Sequence, residues 1–339
     1  MKEVALNEQQ VEETLAKLQL VIDEVGKVIV GQKEVIEELL ICILAGGHCL
    51  LEGVPGLAKT LMVSSLAKTL ELEFNRVQFT PDLMPSDIVG TEILETDHDS
   101  GDRFFKFQQG PVFTNILLAD EINRTPPKTQ AALLEAMQEK SVSYGGKAYQ
   151  LPQPFFVLAT QNPVEQAGTY PLPEAQLDRF LMLVRVGYPS AADEIEILKR
   201  TTGSISATLS KVLSGEDMLA LQQLTRSVEI SDALVGYVTD IVRATRSDSH
   251  QKSICQKVND YIRWGAGPRA GQALVLCAKA KALLAGRYAV TLADIHFVAY
   301  AVLRHRILLN FQAEAENITT DDVIKALLLA VKEPISPLN

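Results

Sequence analysis

Lys59 and Thr60 close a segment, Glu52-Gly53-Val54-Pro55-Gly56-Leu57-Ala58-Lys59-Thr60, whose residue types suit the holding of a phosphate. The segment follows the apolar run Cys49-Leu50-Leu51 and precedes a helix-compatible stretch from Leu61 to Leu70. Small residues that turn from a strand into a helix N-terminus aim several backbone N–H groups, and the positive end of the helix dipole, at one anion. The Lys59 ammonium adds a full charge, and the Thr60 hydroxyl offers a hard oxygen to Mg²⁺. The spacing therefore predicts a phosphate loop contacted through Gly53, Pro55, Gly56, Leu57, Ala58, Lys59, Thr60 and Leu61. It departs from the strict G-x-x-x-x-G-K-[ST] pattern at Ala58, which stands where the second glycine belongs. A methyl group is acceptable there if that residue is already helical. An ordinary Gly/Pro turn capping a helix is the competing reading.

A second signal lies further along, where the apolar run Ile116 to Ala119 ends in Asp120-Glu121. Two carboxylates leaving the end of a buried strand enter the crevice where open parallel sheets bind ligands. With Mg²⁺ held by Thr60 and, through water, by Asp120, Glu121 can polarise an attacking water as general base. A strand-end acidic pair in a turn is the bland alternative for this motif alone. Both motifs, in this order and on separate strands, point to hydrolysis of a nucleotide.

Chemistry of that kind needs a sheet to position it. Short apolar runs recur at Phe74 to Phe79, Ile116 to Ala119, Phe155 to Ala159 and Phe180 to Val186, without strict alternation. Fully buried parallel strands have that composition. Helical patterns at Leu61 to Leu70 and Pro127 to Glu139 separate several of them, giving the β-α-β rhythm of a sheet covered on both faces. Before the first strand, Glu8 to Val25 and Lys33 to Ala45 carry apolar residues every three or four positions and read as helices. Two stretches break the rhythm. Pro81 to Gln109 holds a charged turn from Thr96 to Arg103 and a small hairpin, and Ser141 to Leu151 is a hairpin about Gly145-Gly146. From about Pro189 the chain turns to capped helices: Ser231 before Leu234, Gly267-Pro268 before Leu274, and Thr291-x-x-Asp294 before Ile295. The division predicted is an N-terminal helix plus α/β core over 1–189 and a helical region over 190–339.

With 339 residues, the chain is long enough for two domains. Its 47% hydrophobic and 22% charged residues exclude disordered and low-complexity classes. A net charge of −10 makes nucleic acid or an anionic membrane a poor default partner. Cys42, Cys49, Cys255 and Cys277 show no C-x-x-C spacing and read as core residues. The five histidines show no metal-cluster spacing. The N-terminus has no hydrophobic region and the longest apolar stretch is broken by Gly46, Gly47 and His48, so the expectation is a cytoplasmic protein without a membrane span.

Further residues carry a family resemblance: Leu118-Ala119-Asp120-Glu121-Ile122-Asn123-Arg124, the run Pro127-Lys128-Thr129-Gln130-Ala131-Ala132-Leu133-Leu134-Glu135-Ala136-Met137, and Ala159-Thr160-Gln161-Asn162-Pro163. To these are added Gly168-Thr169-Tyr170-Pro171-Leu172-Pro173-Glu174-Ala175-Gln176-Leu177-Asp178-Arg179-Phe180 and Gly267-Pro268-Arg269-Ala270. Over most of its length the chain resembles MoxR-type AAA+ ATPases, close to magnesium-chelatase ATPase subunits. The Ala58 form of the phosphate loop is itself common in that group. The resemblance implies a P-loop AAA+ core with a five-stranded parallel sheet, followed by an all-α lid, assembled as a ring, as a hexamer, with ATP and Mg²⁺ between neighbours. Asn162 then resembles sensor 1, a neutral donor between phosphates and attacking water, although Asn162-Pro163 is also a plain turn signal. Arg179 resembles an arginine finger for the neighbour's γ-phosphate, the alternative being an intrachain salt bridge with Asp178 or Glu174. Arg269 resembles sensor 2, acting in its own subunit or the next. Val30 and Gly31 resemble the segment lining adenine, against a plain approach to a helix. The two hairpins match insertions that face the pore or client, with Phe104, Phe105 and Tyr144 as candidate contacts.

What such a protein acts on is a protein complex to be remodelled or matured, as MoxR-type proteins are thought to do with von Willebrand factor A domain partners. A nucleic-acid motor of the neighbouring helicase group and a nucleotide switch with negligible turnover are the alternatives. The intact Glu121, Asn162 and Arg179 argue against the switch. No N-K-x-D guanine-recognition motif occurs, which argues against a GTPase.

Overall fold

The computed structural model describes residues 8–96, 103–162, 168–202, 208–247 and 252–334. Helices α1 (Glu8–Gly26) and α2 (Lys33–Leu44) precede strand β1 (Cys49–Glu52), which leads through the phosphate loop into α3 (Lys59–Thr69). Next come β2 (Phe74–Gln78), the short α4 (Pro85–Val89), the hairpin β3 (Gly90–Thr96) and β4 (Arg103–Gln109), then β5 (Ile116–Asp120). Helix α5 (Pro127–Glu139), the hairpin β6 (Ser141–Tyr144) and β7 (Lys147–Gln150), β8 (Phe156–Gln161), α6 (Glu174–Leu177) and β9 (Met182–Arg185) complete the α/β part. The remainder is helical: α7 (Ala191–Thr202), α8 (Gly215–Ser227), α9 (Asp232–Ala244) and α10 (Gln256–Tyr261), then α11 (Pro268–Leu284), α12 (Leu292–Leu303), α13 (Phe311–Ala315) and α14 (Thr320–Ala330). Within it a two-stranded ribbon pairs β10 (Ile262–Trp264) with β11 (Leu308–Leu309), a departure from an all-helical region that their few residues could not signal.

The five apolar runs form one sheet, in the order β2-β5-β8-β1-β9, with every pairing parallel. Because side chains alternate across a strand, each run feeds two cores at once. Cys49, Leu51, Ile116, Leu118, Leu158 and Val184 pack with α1, α2, α3 and the C-terminal helices, whereas Leu50, Leu117, Ala119, Val157 and Leu183 pack with α5. Both faces are covered, and this is why the sequence shows continuous rather than alternating hydrophobicity. A parallel sheet also places all its strand C-termini on one edge, where the loop from β1 into α3, Asp120, Glu121 and Asn162 stand, whereas Arg179 precedes β9 and lies at the other end of that strand.

The predicted caps form. Ser231 accepts from the Leu234 backbone amide, and Thr291 and Asp294 make a capping box at the start of α12; Thr319, which the sequence reading did not single out, caps α14 by accepting from the Asp322 amide. Gly145 and Gly146, both at positive φ, make the β6–β7 turn. The two hairpins pack together: Phe107 stacks on Tyr149 at 4.3 Å and lies 5.1 Å from Tyr144. The charged turn of the first hairpin, residues 97–102, lies outside the described residues. All four cysteines are free and buried. His48 is structural: its Nδ1 accepts from the Val157 amide, and its Nε2 donates to the Met137 carbonyl at 3.1 Å. Burial pulls its pKa down to about 4, so the ring is the neutral staple joining β1, β8 and α5. His98 and His250 lie outside the described residues.

Candidate functional site

The phosphate loop leaves β1 through Gly53, where a Cβ would come within 2.8 Å of the Val186 carbonyl oxygen; glycine alone fits this approach to the end of β9. The chain then turns through Gly56 and enters α3, with Lys59 and Thr60 as its first residues. The condition under which a methyl group at position 58 is free of cost, an already helical residue, is not met. Ala58 is the N-cap residue in the left-handed region, at φ 54° and ψ 24°. The turn into α3 calls for the conformation that glycine takes freely, and alanine adopts it at a cost on the order of 1 kcal/mol. Lys59 Nζ donates to the Gly53 carbonyl at 2.6 Å, closing the loop on itself. Burial draws the Lys59 pKa down, while the charges of Asp120 and Glu121 draw it up, so the two motifs meet in space.

Asp120 ends β5, and its carboxylate is held from two sides. Thr160 on β8 donates to Oδ1 at 2.6 Å, and Arg76 on β2 donates to Oδ2 from Nη2 at 2.6 Å. Glu121 lies just past the strand end in the left-handed region, at φ 58°, with its amide donating to Thr160 Oγ1 at 2.9 Å. Its Oε2 accepts from Gln78 at 2.7 Å and from Arg124 at 3.0 Å. Non-glycine residues in that backbone region mark constrained positions. One threonine thereby sets the orientation of both acidic residues. Sequence reading missed Arg76 and Gln78 as site residues and quoted Thr160 and Arg124 only within motifs. Strand pairing alone brings β2 and β8 against β5, so no local signal announced them.

Asn162 follows β8 directly and is 7% exposed, on the strand lying between those of Lys59 and Asp120. Pro163 lies outside the described residues. Arg179 is exposed at the end of the α6 segment, with Nη1 donating to the Leu134 carbonyl at 3.2 Å. The alternative in which it pairs with Asp178 is not what the fold builds. Asp178 lies 2.8 Å from Arg306 and 3.5 Å from Arg269, the second residue of α11. Val30 and Gly31 line a cavity of about 360 Å³ with Ile22, Ile36 and Arg200. Gln32 donates to the Gly187 carbonyl at 3.2 Å, next to the Val186 that touches Gly53, so this cavity adjoins the phosphate loop. Thr60 and Asp120 offer a hydroxyl and a carboxylate, an all-oxygen donor set that suits Mg²⁺.

Phosphate chemistry at the carboxyl edge of a five-stranded parallel sheet, with a helical region after it, puts the chain in the AAA class of P-loop ATPases. The family model for ATPases associated with various cellular activities (AAA) matches residues 48–182, and that for the AAA lid domain matches residues 256–327. The chain is 45% identical over 317 residues to Chaperone MoxR1 of Mycobacterium tuberculosis, covering 94% of this chain and 82% of that protein. To the uncharacterized protein YeaC of Bacillus subtilis it is 43% identical over 315 residues, 93% of this chain and 94% of that one. A crystal structure from Cytophaga hutchinsonii, of a protein provisionally assigned as an ATPase, superposes with a TM-score of 0.87 at 48% identity, covering 96% and 97% of the two chains. The chain belongs to the MoxR family of AAA ATPases.

Proposed function

We propose that this protein is a Mg²⁺-dependent ATPase that works as a ring, as a hexamer, and uses hydrolysis to remodel or mature a protein complex in the cytoplasm. What carries the reading is the convergence of Lys59, Asp120, Glu121 and Asn162 on one edge of the sheet, with Arg179 exposed and free of a carboxylate from Asp178. Lys59 and the α3 N-terminus take the phosphates, and Val30 and Gly31 take the base. Mg²⁺, held by Thr60 and Asp120, would neutralise phosphate charge. Glu121 accepts the proton of the attacking water, for which it must exchange its bonds to Gln78 and Arg124. Asn162 orients that water, Arg179 reaches the next subunit's phosphate, and Arg269 reports nucleotide to the lid. We place the boundary between core and lid at residues 189 and 190, between β9 and α7.

Family membership supports ring assembly, and the −10 charge supports a protein client over nucleic acid. Phe105, 71% exposed, and Phe104, 44% exposed, are available for a client, whereas Tyr144 is engaged against Phe107. Among the described residues no helix is long and apolar enough to cross a membrane. Phosphate release measured against protein concentration tests the ring. Turnover per subunit should rise with concentration, require Mg²⁺, and vanish in Glu121→Gln and Arg179→Ala while nucleotide binding persists. Concentration-independent turnover surviving in both variants would refute it. Capture on the Glu121→Gln variant with ATP should retrieve a protein carrying a von Willebrand factor A domain; retrieval of nucleic acid would overturn the client assignment.

A further inference from the structure

Three consecutive residues at the end of α12 hold the segment that carries Arg179. Arg304 Nη1 donates to the Leu183 carbonyl at 3.0 Å, and His305 Nε2 donates to the Phe180 carbonyl at 2.9 Å. Arg306 donates to the Phe180 carbonyl at 2.8 Å, to the Leu181 carbonyl at 3.0 Å and to the Asp178 carboxylate at 2.8 Å. The His305 ring acts as a neutral donor, since burial and the adjacent Arg306 charge both hold its pKa well below the ordinary histidine range. Arg306 has a side chain 4% exposed, so its guanidinium is matched by fixed acceptors instead of water. The main chain from Asp178 to Leu183 is therefore positioned by the helical region and not by the sheet alone.

The other oxygen of Asp178 faces Arg269 at 3.5 Å. One carboxylate thus lies between the guanidinium proposed to sense nucleotide and the guanidinium that fastens the backbone flanking Arg179. We infer that Asp178 and Arg306 are positioning residues that link Arg269 to Arg179. When Arg269 turns toward a phosphate, Asp178 is left to Arg306 alone, and the segment bearing Arg179 changes its set. Nucleotide at the site that Arg269 reaches, in its own subunit or the next, then alters the set of the arginine offered to the neighbour. Neither residue touches nucleotide in this scheme, and both act through Arg179.

The inference rests on the trans-acting reading of Arg179, and the test separates the two. Phosphate release, nucleotide affinity and melting temperature are measured on Asp178→Asn beside Arg179→Ala. In Asp178→Asn, nucleotide Kd and KM should stay within about 2-fold of wild type while kcat falls at least ~10-fold, as expected for a misplaced catalytic group. Mixing with Glu121→Gln subunits, which supply an undisturbed Arg179, should restore turnover at the Asp178→Asn sites. Asp178→Glu, which keeps the charge, should lose less and serves in its place if the asparagine variant melts early. A wild-type kcat in Asp178→Asn, with Arg179→Ala inactive, overturns the inference and leaves the finger reading standing. A defect that mixing fails to restore, while Arg179→Ala is restored, also overturns it by marking a fault local to the altered subunit. Wild-type turnover in Arg179→Ala refutes the finger reading itself.

Discussion

The carboxyl edge of the sheet and the Asp178–Arg306 pair use the same chemistry, guanidinium on carboxylate, with the guanidiniums in opposite environments. At the edge, the Arg76–Asp120 pair has side chains 47% and 13% exposed, and Arg124–Glu121 has 44% and 23%. At the junction, Arg306 is 4% exposed and adds backbone carbonyls of Val302, Phe180 and Leu181 to its carboxylate. Exposed pairs exchange partners readily and contribute little stability. A buried guanidinium that loses its partner leaves uncompensated charge and acceptors without donors. The pairs at the edge can exchange partners, and the junction is built to hold two regions of the chain in register.

Four substitutions would break or sharpen that contrast. The largest effects fall on turnover: Arg179→Ala should lower kcat by on the order of 10³ to 10⁵, and Glu121→Gln by roughly 10² to 10⁴, with nucleotide affinity retained in a direct binding titration. Stability should divide the two regions the other way. Arg306→Met should cost about 3–5 kcal/mol in denaturant unfolding, because the Leu181 and Val302 carbonyls lose the Arg306 donor, the Phe180 carbonyl keeps only His305 and Asp178 keeps only Arg269, whereas Arg76→Ala should cost about 0–1 kcal/mol. Equal costs would end the distinction.

A smaller, pH-dependent effect adjoins the junction. Burial raises the Glu38 pKa to about 7, with Arg304 opposing and Glu34, Asp321 and Glu37 adding to the rise. Between about 4.5 and about 7 the unfolded chain releases this proton first, so stability falls as pH rises through that window. The difference between about 4.5 and about 7 corresponds to about 3–4 kcal/mol at most. Glu38→Gln should flatten the melting-temperature profile between pH 5 and pH 8; an unchanged profile would remove Glu38 from the account. The smallest change is expected at the phosphate loop, where Ala58→Gly relieves the left-handed backbone and should stabilise by at most ~1 kcal/mol, measured by thermal melting.

Legibility in the sequence followed the range of the forces involved. The five strands, the helices α2, α3 and α5, both hairpins and the caps at Ser231 and Thr291 rest on composition, period and local hydrogen bonds, and they form where predicted. Lys59, Asp120 and Glu121 could be singled out from the residues because the loop and the acidic pair each end a buried strand, and parallel pairing puts those ends together, whereas Asn162 was singled out by the family resemblance. The left-handed turn at Ala58 was not legible, because a left-handed alanine has no sequence signature. Arg76 and Gln78, and the role of Thr160 toward Asp120 and Glu121, were missed because a strand residue acquires its partner only from its neighbour in the sheet. The pairing offered for Arg179 failed for a similar reason: Asp178 is adjacent in sequence, yet its carboxylate goes to Arg306 and Arg269.

The sequence by itself determined that a phosphate loop and a pair of strand-end carboxylates stand on a parallel sheet with a helical region after it, because periodicity and loop chemistry are local. Only the tertiary structure decided that Thr160 governs both acidic residues and that one carboxylate, Asp178, lies between Arg269 and Arg306. Those contacts join residues far apart in the chain, and their geometry is fixed by strand order and by the packing of α12 against β9.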